Sequence, residues 1–400
     1  MAVLGVWMWS RSIRLRGADE VISHCADAGV TDIYFLVKGL LGTAAYKSRL
    51  VPADGERDLL AEALDAAHKR NIRLHAWFTT ACDEQYVSVH PESGRYHCRK
   101  GPDNQMVSLP DQGYQRYMEN AVREICRNYP IDGLHLDYIR YNHVTSGWSE
   151  TDLQGYAAEG ADTDKLWEML EQMYYRDEGR DENLLFDAYR AGDENAVAFA
   201  RSRRKQVVQF ASRLRDAANA EKSGLMITAA LMPEGAYDDH AFADLHYGQN
   251  YADAAGLYGY VLPMAYTGSY EKDGAWLQKI AENSTKAGLK TVMGLQAFPE
   301  ATGVTLQKDI AALQNTTAAG VCLFREGSCA MAYKNGRELT VYNATEGNIT
   351  GIRVSDGEER AELPADLNPG AEAHFRLPFE AAAVRALYGE KEACVFTAER

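Results

Sequence analysis

The sequence predicts an α/β fold, a (β/α)8 TIM barrel followed by a small C-terminal β-sandwich domain. Short apolar runs alternate with helical patterns through most of the chain, and short β-like runs without a helical period fill the rest. Strand followed by helix, repeated, is typical of a parallel sheet, and eight repeats are the number that closes a TIM barrel. We expect the barrel at residues 1–335 and the all-β domain at residues 336–400.

Eight apolar runs are the candidate barrel strands, and most are followed by a helical pattern. The strands are predicted at residues 3–9, 32–38, 72–79, 133–139, 225–231, 260–266, 291–297 and 321–324. The helices between them are predicted at residues 18–28, 56–70, 114–128, 196–220, 274–287 and 305–319. Gly29, Gly288 and Gly320 each lie between a helical pattern and a strand, where a left-handed glycine would end the helix.

The pattern changes after Gly336. Residues 339–342, 349–354, 374–377 and 393–397 are short β-like runs separated by turn residues. No cluster of exposed aromatic residues stands out among them, so we expect this domain to cover a face of the barrel rather than to bind carbohydrate.

Composition bounds the function. The 400 residues are 46% hydrophobic and 25% charged, and the formal net charge of −15 disfavours nucleic acid and anionic membranes as partners. No run approaches the 18 apolar residues of a membrane-spanning helix.

Seven cysteines without a CxxC pair favour a reducing compartment. We therefore expect a cytoplasmic protein, or a secreted one whose signal peptide is missing from this sequence. The oligomeric state is left open.

Long connections follow the third and fourth predicted strands, at residues 80–113 and 142–195. Loops of that length usually form binding sites, and at the C-terminal end of a barrel they would cover the active site. The helix after the second loop carries four basic residues, which we interpret as a solvated face rather than an anion site. They are Arg201, Arg203, Arg204 and Lys205.

Residues 131–141, IDGLHLDYIRY, form the most informative stretch. Apolar Leu134, Leu136 and Ile139 indicate a buried strand, and Asp137 and Arg140 lie at its C-terminal end. Because the C-terminal strand ends form the floor of the active site in TIM barrels, we expect a function for Asp137 rather than a salt bridge to Arg140 alone.

This stretch resembles the fourth-strand signature of the family 10-like glycosyl hydrolases. Residues 75–78, HAWF, and the segments YGQN at 247–250 and VLPMAYT at 261–267 resemble the same family, over roughly residues 1–330. The fourth strand is also distantly similar to chitinase-type barrels, in which a catalytic Glu stands two positions beyond the Asp. Here that position is Ile139, which argues against a chitinase mechanism.

The resemblance implies cleavage of a glycosidic bond in an oligo- or polysaccharide, which usually needs two carboxyl groups, one charged and one protonated. Asp137 is expected to be the charged one, acting as nucleophile, base or stabiliser of the oxocarbenium ion, and the second carboxyl would be the general acid. Glu234, after the fifth strand, and Glu326, after the eighth, are the preferred candidates for the second. Six other acidic residues on strand-end loops stay open: Asp83, Glu84, Asp238, Asp239, Glu271 and Glu300.

Aromatic and hydrogen-bonding residues near strand ends complete the predicted site, since sugar rings stack on aromatic faces. The substrate-binding candidates are Trp9, Lys38, His75, Trp77, Arg140, Tyr141, Gln249 and Tyr266. Core packing is the alternative for Trp77, and a satisfied buried histidine for His75. We expect Asp137, Arg140, Tyr141, Tyr266, Trp77, Lys38 and Glu326 to line one pocket.

No cofactor or metal is predicted. His90, His97 and Cys98 are close in sequence but match no standard zinc spacing, and no phosphate-binding glycine loop or GxSxG motif is present. A glycoside hydrolase with a carbohydrate substrate is the leading hypothesis. A barrel that binds carbohydrate without cleaving it is the alternative, and a carbohydrate lyase using Tyr or His as base is a weaker one.

Overall fold

The computed structural model describes residues 2–176, 178–298 and 301–399. The strands are β1 Val3–Met8, β2 Asp32–Lys38, β3 Arg73–Thr79, β4 Gly94–His97, β5 Gly101–Val107, β6 Gly133–Asp137, β7 Met226–Leu231, β8 Tyr260–Pro263, β9 Val292–Gln296, β10 Gly320–Phe324, β11 Ala330–Asn335, β12 Glu338–Tyr342, β13 Ile349–Ser355, β14 Arg360–Leu367, β15 Glu372–Arg376, β16 Ala383–Tyr388, β17 Lys391–Ala393 and β18 Val395–Glu399.

The α-helices are α1 Ser10–Arg16, α2 Ala18–Asp27, α3 Leu59–His68, α4 Glu84–Val89, α5 Gln112–Asn128, α6 Glu150–Ala158, α7 Thr163–Tyr174, α8 Leu184–Arg190, α9 Glu194–Glu221, α10 Tyr251–Ala254, α11 Thr267–Tyr270, α12 Gly274–Lys286 and α13 Gly303–Leu313. Two 3-10 turns, Pro91–Ser93 and Pro233–Ala236, and a π-helical turn, Ala243–Tyr247, lie in the connections. None of the helices in the described ranges is long and apolar enough to cross a bilayer.

The predicted barrel is confirmed. The eight parallel strands follow the order β8, β7, β6, β3, β2, β1, β10, β9. Two parallel bridges, Val261 with Thr291 and Met264 with Gly294, join the two outer strands and close the sheet. Each predicted barrel strand corresponds to one observed strand, because apolar runs of this length are long enough to cross a barrel wall but too short for a core helix.

Side chains from alternate strand positions fill the barrel interior, and the opposite faces pack against the helices. The interior apolar cluster includes Trp7, Tyr34, Trp77 and Leu262. Two interior polar side chains pair with each other and with a third: the indole nitrogen of Trp7 donates to Nε2 of His135 at 3.0 Å, and the other ring nitrogen of His135 lies 2.9 Å from the Thr228 hydroxyl. A second, larger cluster lies between the strands and the surrounding helices.

Two of the three glycines predicted to end a helix have the expected left-handed conformation. Gly29 and Gly288 have φ values of 78° and 83°, in the left-handed region that favours glycine. Gly320 is different, because it is the first residue of β10 and does not have a positive φ. A Cβ atom there would lie 1.9 Å from the carbonyl oxygen of Val3, so the close approach of β1 excludes a larger residue.

The C-terminal region is a sandwich of two four-stranded sheets, ordered β15, β12, β11, β18 and β14, β13, β16, β17. Apolar residues of both sheets, among them Val341 and Ile352, form one core between them. The sandwich begins at Ala330 rather than at residue 336, because β11 pairs with β12 and β18 and not with the barrel. The sequence pattern does not reveal this boundary, because only five residues separate β10 from β11.

The sandwich packs against the side of the barrel through polar and aromatic contacts. The Arg16 guanidinium donates to the Tyr342 hydroxyl at 2.8 Å, and the His24 ring stacks on the Tyr342 ring with centroids 3.5 Å apart. The Tyr333 hydroxyl donates to the His24 carbonyl oxygen at 3.0 Å. This region therefore lies against helices α1, α2 and α13 on the side of the barrel.

Candidate active site

A cavity of about 480 Å³ lies at the C-terminal end of the barrel, a size typical of small-molecule sites. Residues that end or follow β1, β2, β3, β6, β8 and β10 contribute to its wall, as parallel strands ending at one rim require. The lining residues are Trp9, Ser10, Leu36, Gly39, Leu40, Leu41, Thr43, Ala45, Asp54, Trp77, Thr79, Asp137, Tyr138, Arg140, Met264, Tyr266 and Phe324.

Asp137 lies at the floor of this cavity and is 5% exposed. Its carboxyl accepts hydrogen bonds from the indole nitrogen of Trp77, at 3.2 Å, and from the backbone N–H of Tyr138, at 2.7 Å. Tyr138 has a φ of 53°, which is uncommon for a bulky residue. Burial raises the pKa of Asp137 to about 6, although Arg140 and the two hydrogen bonds oppose the rise.

Arg140 lies beside Asp137 in the cavity wall, with its guanidinium 4.9 Å from the Tyr138 ring centroid and 5.8 Å from that of Tyr247. Burial raises the pKa of both Asp137 and Glu234, and the positive charge of Arg140 opposes this rise. The arginine is therefore close enough to influence both carboxyl groups.

Five predicted site residues share the cavity: Asp137, Arg140, Trp77, Tyr266 and Trp9. Trp9 contacts the Arg325 guanidinium, which lies 3.6 Å from its ring centroid. The Asp137 charge raises the pKa of Tyr266, in addition to burial, so these two groups are near each other. The structure thus brings one carboxyl, one guanidinium and three of the predicted aromatic residues together.

Glu234 does not line the cavity. It lies in the 3-10 turn after β7, where burial raises its pKa and the Tyr270 hydroxyl donates to its carboxyl at 3.1 Å. Glu326 is also outside the cavity, because its chain turns toward α1 and its carboxyl forms a 2.6 Å ion pair with Arg16. The prediction that Glu326 lines the pocket is wrong.

Lys38 and Tyr141 do not line the pocket either. Lys38 is fully buried and pairs with Asp83 at 2.9 Å, and its ammonium also donates to the Cys82 carbonyl oxygen at 2.9 Å. Tyr141 donates to Asp152 at 2.9 Å, with the Arg203 guanidinium 3.8 Å from its ring centroid. Both residues anchor long loops, because a buried polar group must find a partner wherever it lies.

His75 and Gln249 have internal partners. Nε2 of His75 lies 2.8 Å from the Asp32 carboxyl, and its ring stacks on Tyr34, deep in the barrel. Gln249 donates to the Ile139 carbonyl oxygen at 3.2 Å and accepts from the Met232 N–H at 2.9 Å. Neither residue lines the cavity. The structure therefore gives both residues a structural role in place of the predicted contact with substrate.

The remaining acidic candidates are also engaged or exposed. Asp83 belongs to the Lys38 ion pair, Asp238 pairs with Lys279 and Asp239 with Arg190. Glu84 and Glu271 are exposed, and Glu300 lies outside the described residues.

The basic run on α9 is only partly solvated. Arg203 is fully buried and donates to the carbonyl oxygens of Ser146, His143 and His246. Arg201, Arg204 and Lys205 form ion pairs with acidic neighbours. The structure corrects our interpretation for Arg203, which helps to hold the loop after β6.

Two of the three candidate zinc ligands are close, with the Cys98 sulfur 3.9 Å from Nδ1 of His97, but no third ligand among the described residues joins them. His90 pairs with Glu92 at 3.4 Å, and the Cys98 sulfur contacts the Tyr175 hydroxyl at 3.4 Å. The part of the chain that the structure describes contains no group of three His, Cys, Asp or Glu side chains placed to bind a metal ion.

The sequence interpretation missed the loop after β2. Gly39, Leu40, Leu41 and Thr43 line the cavity, and Leu41 is 57% exposed at its rim. Their position directly after a barrel strand was the available signal. The apolar and small residues of this loop include no catalytic residue type, so the pattern gives no chemical indication of a site.

The parallel barrel thus carries a buried carboxyl and aromatic rings at its C-terminal rim. The family model described as "Glycosyl hydrolase-like 10" matches residues 18–308. The chain belongs to this family, which confirms the resemblance seen in the sequence.

Two curated relatives have the same general description. The chain is 28% identical to "Glycosyl hydrolase YngK" of Bacillus subtilis (strain 168) over 113 residues, which are 26% of this chain and 22% of the relative. It is 27% identical to "Glycosyl hydrolase DigH" of Escherichia coli (strain K12) over 145 residues, 30% of this chain and 33% of the relative. The matches thus span at most a third of these relatives.

Solved structures share the fold. The glycoside hydrolase domain of PgaB (BpsB) from Bordetella bronchiseptica has a TM-score of 0.64 at 13% identity, covering 82% of this chain and 94% of that domain. The catalytic domain of a β-amylase from Paenibacillus polymyxa has a TM-score of 0.57 at 11% identity, covering 81% of this chain and 92% of that domain.

Proposed function

We propose that this protein cleaves a glycosidic bond in an oligo- or polysaccharide and that Asp137 is its general acid. The observation that supports this role best is the position of Asp137 on the cavity floor with a pKa raised to about 6. A carboxyl with that pKa keeps its proton in a useful fraction of molecules near neutral pH. A protonated carboxyl can donate to the departing glycosidic oxygen, the step that general acids perform in these enzymes.

The cavity wall supports a carbohydrate as substrate. Trp9, Trp77, Tyr138 and Tyr266 supply aromatic rings, and the lining is mostly apolar with a few polar groups. The C–H faces of a sugar ring pack on aromatic faces, while its hydroxyl groups need nearby donors and acceptors. Asp137 and Arg140 would provide these at the floor.

Glu234 is the second carboxyl that we propose. It follows β7, the strand next to β6 in the sheet, and Arg140 acts on the pKa of both carboxyl groups. Burial raises the pKa of Glu234, and the Tyr270 hydroxyl and Arg140 oppose this rise by favouring its charged form. A charged partner opposite a protonated acid is the division of roles that most glycosidases use. Glu326 is not proposed, because Arg16 already neutralises it away from the cavity.

The test is hydrolysis of a broad panel of oligosaccharides and aryl glycosides by the wild type, Asp137→Asn and Asp65→Asn. Asp65 is the control, because it is exposed on α3, pairs with Lys69 and does not line the cavity. We expect Asp137→Asn to lower kcat and kcat/KM together by about 10²- to 10⁴-fold, while Asp65→Asn keeps most of the activity. Equal activity of Asp137→Asn and wild type on every cleaved glycan would overturn the role of Asp137.

A carbohydrate-binding barrel without catalysis is the second candidate function. It is favoured by the absence of Glu234 and Glu326 from the cavity lining, which leaves Asp54 and Asp137 as its carboxyl groups among the described residues. Calorimetric titration with the same oligosaccharides, together with product analysis, distinguishes the two functions. Binding of a glycan that is not cleaved, with no cleavage of any other, would replace the hydrolase proposal with this one.

A further inference from the structure

Two cysteines directly precede the first and the last strand of the C-terminal sandwich. Cys329 directly precedes β11 and Cys394 directly precedes β18, and these strands pair in parallel with Ala330 opposite Val395. The two cysteines therefore occupy equivalent positions one residue before the paired register. The N–H of Ala330 donates to the carbonyl oxygen of Cys394 at 2.9 Å, so the two backbones are already held together at this point.

The geometry of the pair suits a covalent link. Neighbouring strands lie about 4.8 Å apart, which is within the roughly 4.4–6.8 Å that separates the Cα atoms of disulfide-bonded cysteines. Side chains at equivalent positions of parallel strands point to the same face, and here the two Sγ atoms are 3.3 Å apart. The other sulfurs with close neighbours differ, since Cys82 contacts the Met106 sulfur and Cys98 a tyrosine hydroxyl.

We propose that Cys329 and Cys394, both thiols in this structure, are a disulfide site that closes when the protein meets a small-molecule disulfide such as oxidised glutathione. The thiolate of one cysteine attacks a sulfur of the reagent and releases one glutathione thiol, which leaves a mixed disulfide. The second thiolate then attacks the protein sulfur of this mixed disulfide and releases the second glutathione. The protein loses two protons and two electrons, and one glutathione disulfide becomes two thiols.

The link would fix the last strand of the chain. β18 is at the edge of its sheet, with β11 as its only neighbour in that sheet's strand order. A bond from Cys329 to Cys394 closes a loop of 64 intervening residues, which comprise β11 to β17. Such a cross-link restricts the unfolded chain strongly and keeps the edge strand paired during partial opening. Because both thiols are buried, we expect the link to form while the sandwich folds or transiently opens.

The sequence allows a direct chemical test. Trypsin cleaves after Arg325, Lys334 and Lys391, so residues 326–334 and 392–400 are released as two peptides with one cysteine each. The full-length protein is refolded with reduced and oxidised glutathione, its free thiols are alkylated, and the non-reduced digest is analysed by mass spectrometry. We expect the two peptides to be joined, with a mass two hydrogens below their sum, and to separate on reduction.

Thermal denaturation provides an independent measurement. The oxidised wild type should unfold at a temperature at least about 5 °C above that of the reduced protein. The Cys329→Ala/Cys394→Ala variant should lose this redox dependence, and Cys98→Ser, which changes a half-buried cysteine on a barrel loop, should keep it. Alkylation of both Cys329 and Cys394 after oxidative refolding, or their appearance in disulfides with other cysteines, would overturn the proposal.

Discussion

Trp77 donates its indole N–H to Oδ2 of Asp137 at 3.2 Å, from β3 to the adjacent strand β6. The bond fixes the carboxyl at the cavity floor without supplying a full charge. Burial therefore dominates, and the pKa of Asp137 is about 6 rather than the ordinary 3.8.

Because its pKa is raised, the charged Asp137 carboxylate destabilises the folded protein above pH 6. A carboxyl whose pKa is higher in the folded than in the unfolded state favours folding while both states are protonated, and this benefit disappears as pH rises from 3.8 through 6. The difference of about two pKa units corresponds to about 3 kcal/mol. Asp137→Asn should therefore raise the free energy of unfolding at pH 8 by roughly 1–3 kcal/mol, with little difference at pH 3.5, as urea denaturation at both pH values would measure.

An Asp137→Asn variant that is inactive but more stable than the wild type at pH 8 would agree with both expectations, the one for catalysis and the one for folding. A variant that is less stable than wild type at pH 8 would contradict the raised pKa, because removing a buried charge should then have been neutral or favourable.

The pH profile of kcat/KM should fall on its alkaline side with a midpoint near pH 6, since a general acid must be protonated. Arg140 lowers the pKa of Asp137, so Arg140→Gln should shift this midpoint to higher pH as well as weaken substrate binding. Arg11→Gln is the control, because Arg11 is exposed and pairs with Glu346 away from the cavity. An unchanged midpoint in Arg140→Gln would show that another group sets the alkaline side.

Glu234→Gln and Glu326→Gln should separate catalysis from stability. Glu234→Gln should lower kcat with little change in unfolding. Glu326→Gln leaves the largely buried Arg16 without its carboxylate and should cost about 3 kcal/mol of stability, with kcat preserved. Initial rates and denaturant titrations of both variants provide the comparison. The reverse pattern, with kcat lost in Glu326→Gln alone, would identify Glu326 rather than Glu234 as the second carboxyl.

Lys38→Met should destabilise the protein by about 3–5 kcal/mol, because it leaves the carboxylate of Asp83 buried without a counter-ion. The double variant Lys38→Met/Asp83→Asn should recover part of the loss, since Asn can still cap α4 as Asp83 does. Lys69→Met, which breaks the exposed pair with Asp65, is the control and should have a much smaller effect. Equal losses for Lys38→Met and Lys69→Met in urea titrations would contradict the structural role of Lys38.

The sequence predicted the fold better than the site. Strand positions follow from local apolar patterns, and Asp137, Arg140 and Trp77 reach the cavity because parallel strands end at one rim. The sequence could not show which strand-end residues turn inward. Lys38 ends β2 as Asp137 ends β6, but Asp83, which follows the neighbouring strand β3, pairs with it and holds it in the wall. Such pairings join residues far apart in sequence, and no periodicity predicts them.

The same limit applies to Glu326 and Tyr141. Each follows a barrel strand closely, but Arg16 and Asp152, which lie on helices, determine where their polar groups point. The loop after β2 shows the opposite error, because its apolar residues line the cavity without a chemical signature.

The position of β11 has a practical consequence for shortened versions of this protein. A chain that ends at residue 335, where the sequence suggested a boundary, would retain β11 but lose β12 and β18, its two partners in the sheet. The remaining strand would present unpaired N–H and C=O groups along both edges, and such edges pair readily with other molecules. We therefore expect a barrel truncated there to aggregate on expression, while one that ends before Ala330 would avoid the exposed strand but uncover the faces of α1 and α2.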